Sequence, residues 1–192
     1  MEQQIRSMIE ESIATKQNTL SLVAQIAKAA DILIECLMHE GKILVCGNGG
    51  SAADAQHMAG ELIGRFETER QGLPCIALTT DSSVLTAWAN DYGYEGVFAR
   101  QINALGRKND VLIAISTSGQ SKNILAAIEE ATRKGMKVVA LVGKSGGVIG
   151  TIKDVVSLVV PSERTTRIQE THLMIIHIWC SLIETSCACA SN

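Results

Sequence analysis

With 192 residues, the chain is long enough for one well-buried core and short for two. Apolar residues make up 46%, but charged residues only 19%, which is low for a surface wetted on every side and points to subunit contacts. A net charge of −3 with no Lys/Arg cluster argues against a nucleic-acid partner.

The first residues, Met1 to Arg6, run polar rather than basic then apolar, so no secretory leader is expected. From Ile5 to His39 there is neither Pro nor Gly, and apolar residues recur at helical spacing. This predicts two helices, or one broken near Asn18-Thr19, ending at Glu40-Gly41. Five short apolar or β-branched runs follow: Lys42–Cys46, Cys75–Thr79, Val111–Ser116, Val138–Val142 and Val155–Val160. Helical patterns lie between most of them, at Ala52–Arg65, Ser82–Asn90, Gly96–Leu105 and Lys122–Lys134. A last helix is predicted from Arg164 to about Cys187, with Cys187-Ala188-Cys189 read as a frayed end rather than a metal site. Its apolar stretch, Leu173 to Ile183, is interrupted by His177 and Ser181 and is too short to span a membrane.

Strands alternating with helices, each strand almost continuously apolar, predict a three-layer α-β-α sandwich around a five-stranded parallel sheet. The expected organisation is one flavodoxin- or Rossmann-like domain over residues 1–192, with helices over 1–40 and the α/β core over 41–192. The six cysteines sit mostly in apolar runs without a C-x-x-C frame, as reduced residues of a cytoplasmic protein would.

In such sheets ligands bind beyond the carboxyl ends of the strands. The first strand runs into Gly47-Asn48-Gly49-Gly50-Ser51 and then a helix, where glycines permit close approach and helix-start N–H groups favour an anion. Gly47, Gly49 and Ala52 fit G-x-G-x-x-A, but the acidic residue of a dinucleotide site is missing about 20 residues on. No G-K-[ST] follows either, so the loop is not a Walker A motif. The third strand runs into Ser116-Thr117-Ser118-Gly119-Gln120-Ser121, four hydroxyls in six residues at a helix start. A plain N-cap needs only one or two hydroxyls, so the loop reads as a cradle able to hold a phosphate without arginine sooner than as an N-cap with spare serines.

His57 and Glu61 are four residues apart and share a helix face, with Asp54 and Arg65 near the same stripe. Taken alone, this reads first as the solvated face of an amphipathic helix. His177 lies in a segment apolar all round, which predicts burial in the core or between subunits.

These loops in this order, with Arg167-Ile168-Gln169-Glu170 leading the last helix, resemble the sugar-isomerase (SIS) domain family, in particular its bacterial phosphoheptose isomerases. The likeness spans nearly the whole chain and is carried by Cys46–Arg65, Ala89-Asn90-Asp91, Gly106 with Asp110–Ser121, and Arg167–His177. It implies a substrate phosphate meeting Ser51, Ser116, Thr117, Ser118 and Ser121, with Asn48, Gly49, Gly50, Asn90 and Asp91 lining the sugar. It also implies a cytoplasmic homotetramer that converts D-sedoheptulose 7-phosphate to D-glycero-D-manno-heptose 7-phosphate through an enediol(ate). That reaction is the first step toward ADP-heptose for lipopolysaccharide core.

By the same resemblance, one zinc ion per subunit is held by His57, Glu61, Gln169 and His177, and the last three also face the substrate site. Glu61 is then the base that moves the proton, and His177 its acid partner or a metal ligand. The chain has Thr166 where some members carry an acidic residue. A non-enzymatic relative, which binds the bacterial replication initiator, shares the fold and the look of Arg65–Arg70. It lacks the Glu and His that stand here as Glu61 and His177. Gln169 and His177 are separated by eight residues, about 12 Å of helix. The two therefore come to one ion from different subunits, or Gln169 precedes the regular helix.

Overall fold

The computed structural model describes residues 1–190, with side chains as far as Cys187. Two helices, α1 (Glu2–Asn18) and α2 (Val23–Met38), are joined by a single 3-10 turn over Thr19–Leu22, so the expected break near Asn18-Thr19 is a change of helix type. Thereafter β1 (Ile43–Gly47), α3 (Gly50–Ile63), β2 (Cys75–Ala77), α4 (Ser82–Tyr92), α5 (Val97–Leu105) and β3 (Val111–Ser116) follow in turn. The chain closes with α6 (Lys122–Arg133), β4 (Lys137–Gly143), β5 (Val155–Val160) and α7 (Thr165–Ala190).

All strand pairs are parallel, and the order is β2-β1-β3-β4-β5. Side chains alternate between the two faces of each strand. Ile43 and Val45 of β1, with Ile113 and Ile115 of β3, pack under α2, α3 and α7. Leu44, Cys46, Leu112 and Ala114 pack on the other face against α5 and α6. Both faces are covered, which is why these strands read as unbroken apolar runs. The chain leaves β1 toward β2 on one side and returns to β3 on the other. The reversal of direction therefore lies between β1 and β3, whose carboxyl ends register Gly47 against Ile115.

Three expectations need correction. Helix α3 ends at Ile63 with Gly64 as its cap, so Arg65 lies beyond the helix rather than one turn after Glu61. The end of α7 does not fray at Cys187; the backbone is helical through Ala190, and the side chain of Cys189 lies outside the described residues. Of the two placements expected for the segment around His177, the core does not hold: within the chain His177 is half-buried, while Ile178 and Leu182 are exposed. The fully buried histidine is His172 instead.

On α1, Ile5, Met8, Ile9 and Ile13 form a stripe that stays about half exposed. Polar groups anchor the helix to α7: Ser12 donates to Glu170 Oε2 at 2.7 Å, and Arg167 lies 3.6 Å from Glu11. Trp179 is fully buried and donates its indole N–H to Ile26 O at 3.0 Å, fixing α7 to α2.

Candidate functional site

The two loops meet at the β1/β3 reversal. In the first, Ser51 N–H and Ala52 N–H bond back to Asn48 O and Gly49 O, closing the turn that opens α3. Gly49 takes φ +56, a backbone conformation that strains a residue with a side chain. Ser51 is buried.

In the second loop, the Ser116 and Ser121 hydroxyl oxygens lie 3.1 Å apart, and Gln120 N–H donates to Ser118 Oγ at 3.3 Å. Gly119 has φ +63, and a Cβ there would meet Gly146 O at 1.9 Å. Its carbonyl also accepts from Ile149 N–H. The turn at 144–150 thus braces the hydroxyl loop from behind, a contact that only glycine allows.

Asn48 bridges the loops. Its Nδ2 donates to Asn123 Oδ1 at 2.9 Å, and Asn123 Nδ2 donates back to Asn48 Oδ1 at 2.8 Å. Tyr94 Oη donates to the same Asn48 oxygen at 3.4 Å. Asn90 and Asp91 are exposed on the last turn of α4, and Asn90 Nδ2 bonds Asp91 Oδ1 at 2.9 Å.

The second constellation is made by side chains of two helices. His57 Nε2 lies 2.8 Å from His177 Nε2 and 3.1 Å from Glu61 Oε1. One donor atom from each of His57, Glu61 and His177 falls within 4.8 Å of the others. Two imidazoles and a carboxylate at this spacing suit a zinc ion. Phe66 covers His177, ring centroids 5.7 Å apart. One turn before His57, burial pushes the Asp54 carboxyl up to about 6, and nearby His57 pulls it back.

Gln169 is elsewhere. It lies inside regular α7, which begins at Thr165, so the idea that it precedes the helix does not hold. Its amide packs against Gly50, where a Cβ would come within 2.4 Å of Gln169 Nε2. Arg65 is exposed and 3.9 Å from Glu69. Glu61 is eleven residues from Gly50, about 16 Å along α3, and His57 is seven, about 10 Å, so the loops open the helix and the His/Glu cluster lies along its second half.

The SIS domain family matches residues 4–143. A phosphoheptose isomerase of Helicobacter pylori is 56% identical over 171 residues, covering 89% of this chain and 88% of its own. The phosphoheptose isomerase of Coxiella burnetii is 52% identical over 185 residues, covering 95% and 93%.

The chain belongs to the SIS-domain family, among its phosphoheptose isomerases.

The structure of a phosphoheptose isomerase from Francisella tularensis is similar with TM-score 0.92 at 46% identity, over 95% of this chain and 97% of that one. In this SIS-domain isomerase, Asn123, Glu184, Arg70 and His172 are polar side chains wholly or nearly buried that no sequence motif announced. Asn123 shares the apolar stripe of α6 with Ala127 and Ala131, and Glu184 shares that of α7 with Ile176 and Cys180. A polar residue in register with a buried stripe needs a partner, and that is the signal that marks both. Arg70, whose side chain is 9% exposed, is the partner of Glu184. His172 gives its Nε2 to Val142 O at 3.1 Å, and burial holds its imidazole down to about 4, the Val142 bond pulling the other way.

Proposed function

We infer that the chain interconverts D-sedoheptulose 7-phosphate and D-glycero-D-manno-heptose 7-phosphate, at the head of the route to ADP-heptose and lipopolysaccharide core. The observation that carries this is the convergence of His57, Glu61 and His177 in a SIS-domain chain 50–56% identical to phosphoheptose isomerases. A non-catalytic initiator-binding protein has no need of that pair, and both Glu61 and His177 are present.

The substrate phosphate sits in the cradle of Ser51, Ser116, Thr117, Ser118 and Ser121, supported by the amino end of α6. Asn48, Gly49, Gly50, Asn90 and Asp91 line the sugar. The Glu61 carboxylate takes a proton from C1 as the ketone oxygen on C2 gains one, giving the enediol. Glu61 then returns its proton to C2 while the C1 hydroxyl gives up its own, leaving the aldose. Glu61 faces His57 through Oε1, which leaves Oε2 for the carbon acid.

Zinc would be held by His57, Glu61 and His177, with Gln169 as a fourth ligand and a fellow contact to substrate. When bound, it supplies polarisation of the carbonyl oxygen and stabilises charge developing there. His177 serves the same oxygen, as its proton donor or as a ligand of the ion.

The 16 Å of helix between a subunit's own loops and its own Glu61 supports a site shared between subunits. So does Gln169, which stands apart from the cluster along α7. The exposed stripe of α1 and the exposed Ile178 and Leu182 supply apolar surface for a homotetramer. Cytoplasmic placement fits a chain in which no helix, among the described residues, is long and apolar enough to cross a membrane.

The test is turnover of sedoheptulose 7-phosphate by purified protein, before and after metal stripping. Activity lost with the metal and restored by zinc is expected. Full activity after stripping would remove the metal, and no turnover in zinc-loaded protein that binds the replication initiator would remove the isomerase.

A further inference from the structure

Helix α3 ends in the open, and its last carbonyls must find partners outside the helix. Gly60 O accepts from Gly64 N–H. One side chain reaches the next two: Arg70 Nη2 donates to Glu61 O at 2.8 Å and Nη1 to Leu62 O at 2.8 Å, the latter shared with Leu73 N–H at 2.9 Å. Arg70 Nε donates in turn to Glu184 Oε1 on α7 at 3.1 Å. The guanidinium therefore ties the turn that carries Glu61 to the helix that carries His177.

Glu184 does a second thing. Its carboxylate accepts backbone N–H groups from Phe66 at 3.2 Å, Glu67 at 3.0 Å and Thr68 at 2.9 Å. That fixes the loop after α3 and sets the Phe66 ring against His177. Glu184 follows His177 by seven residues, two turns along the same face of α7. Both members are almost fully buried, with side-chain exposures of 9% for Arg70 and 5% for Glu184. Burial alone would push the Glu184 carboxyl up, but the three N–H groups outweigh it and hold its pKa below the usual carboxylate value.

We propose that Arg70 and Glu184 are positioning residues for the reaction, a buried pair that sets the spacing of Glu61 and His57 on α3 against His177 on α7. Neither touches the substrate site directly; they act through the helix end and through Phe66. Partners that orient a metal or catalytic group from behind typically contribute 10–100-fold in affinity or activity. A merely structural pair would lower melting temperature and leave the kinetics of the folded fraction unchanged.

The inference rests on the reading of Glu61 and His177 as working groups, so Glu61→Gln is measured alongside. Glu184→Gln keeps the shape but loses the charge, and Arg70→Lys keeps the charge but cannot span two carbonyls and a carboxylate. Glu69→Gln, at a side chain 89% exposed, is the neighbour control. In the zinc-loaded enzyme, each of the first two is expected to lower kcat about 10-fold or more with KM within about 3-fold. Each is also expected to release zinc at a lower chelator concentration, and the double variant should be little worse than either alone. If Glu184→Gln does not fold, Arg70→Lys carries the test. Wild-type kcat and zinc retention in a folded Arg70→Lys would overturn the proposal while leaving the isomerase reading intact. Activity in Glu61→Gln would remove that reading and the proposal with it.

Discussion

The phosphate cradle opens α3, the His57/Glu61/His177 cluster lies along its second half, and the two are built by opposite means. The cradle is made by backbone: glycines at positive φ, helix-start N–H groups, and hydroxyls a few residues apart in sequence. The cluster is made by side chains 120 residues apart, His57 and His177, brought together by helix docking. One region needs only a strand end and a turn. The other needs the whole core and a clamp behind it. The difference predicts different kinetic signatures: damage to the cradle should raise KM, and damage to the cluster should lower kcat.

The largest effect is expected from Glu61→Gln, a loss of about 10³-fold in kcat with KM little changed. A loss confined to KM would make the cluster a binding site and erase the contrast. Gly119→Ala comes next, because it adds a left-handed strain to a Cβ placed 1.9 Å from Gly146 O. It should cost roughly 2–5 kcal/mol of stability and raise KM about 10-fold or more with kcat kept, read by denaturation and steady-state kinetics.

His172 stands between the two regions on α7, and its effect is on pH. The unfolded chain takes up a proton at an imidazole pKa of about 6.5, while the folded protein resists until about 4. The unfolded state therefore binds more protons in that window, and stability falls as pH drops from 6.5 toward 4. The full loss is about 3 kcal/mol, and it is absent above pH 6.5. Melting curves of wild type and His172→Gln should converge over that window. The smallest effect is Asn123→Ala, which leaves the Asn48 amide half unpaired; about 1–2 kcal/mol, seen as a several-fold rise in KM with kcat unchanged, is expected.

The same contrast explains what the sequence made legible. Five apolar runs and the turns after them gave the sheet, because doubly buried parallel strands leave a local signature. The cradle was legible for the same reason, since strand, Gly or Ser loop and helix start are contiguous. The pairing of Glu61 with His177 was not a pattern in residues; it came through the family likeness. Arg65 was placed on α3 because the spacing continued, and Gly64 stops the helix two residues earlier. His177 was expected in the core or between subunits because its neighbours are apolar, and one chain alone leaves that side of α7 open, which excludes the core. Asn123 and Glu184 were missed because a polar residue on a buried stripe declares a need for a partner without naming it, and Arg70, in the loop after α3, carries no local pattern at all.

Helix α7 carries, in one unbroken run, Gln169 against Gly50, His172 against β4, His177 at the cluster and Glu184 at the clamp. Such a helix fixes rotational phase as well as distance. Each added residue turns everything downstream by about 100°. One residue inserted between Gln169 and His177 would keep every functional side chain yet point the cluster and the clamp away from α3. Natural variation in length should therefore be excluded from Gln169 to Glu184 and tolerated after it.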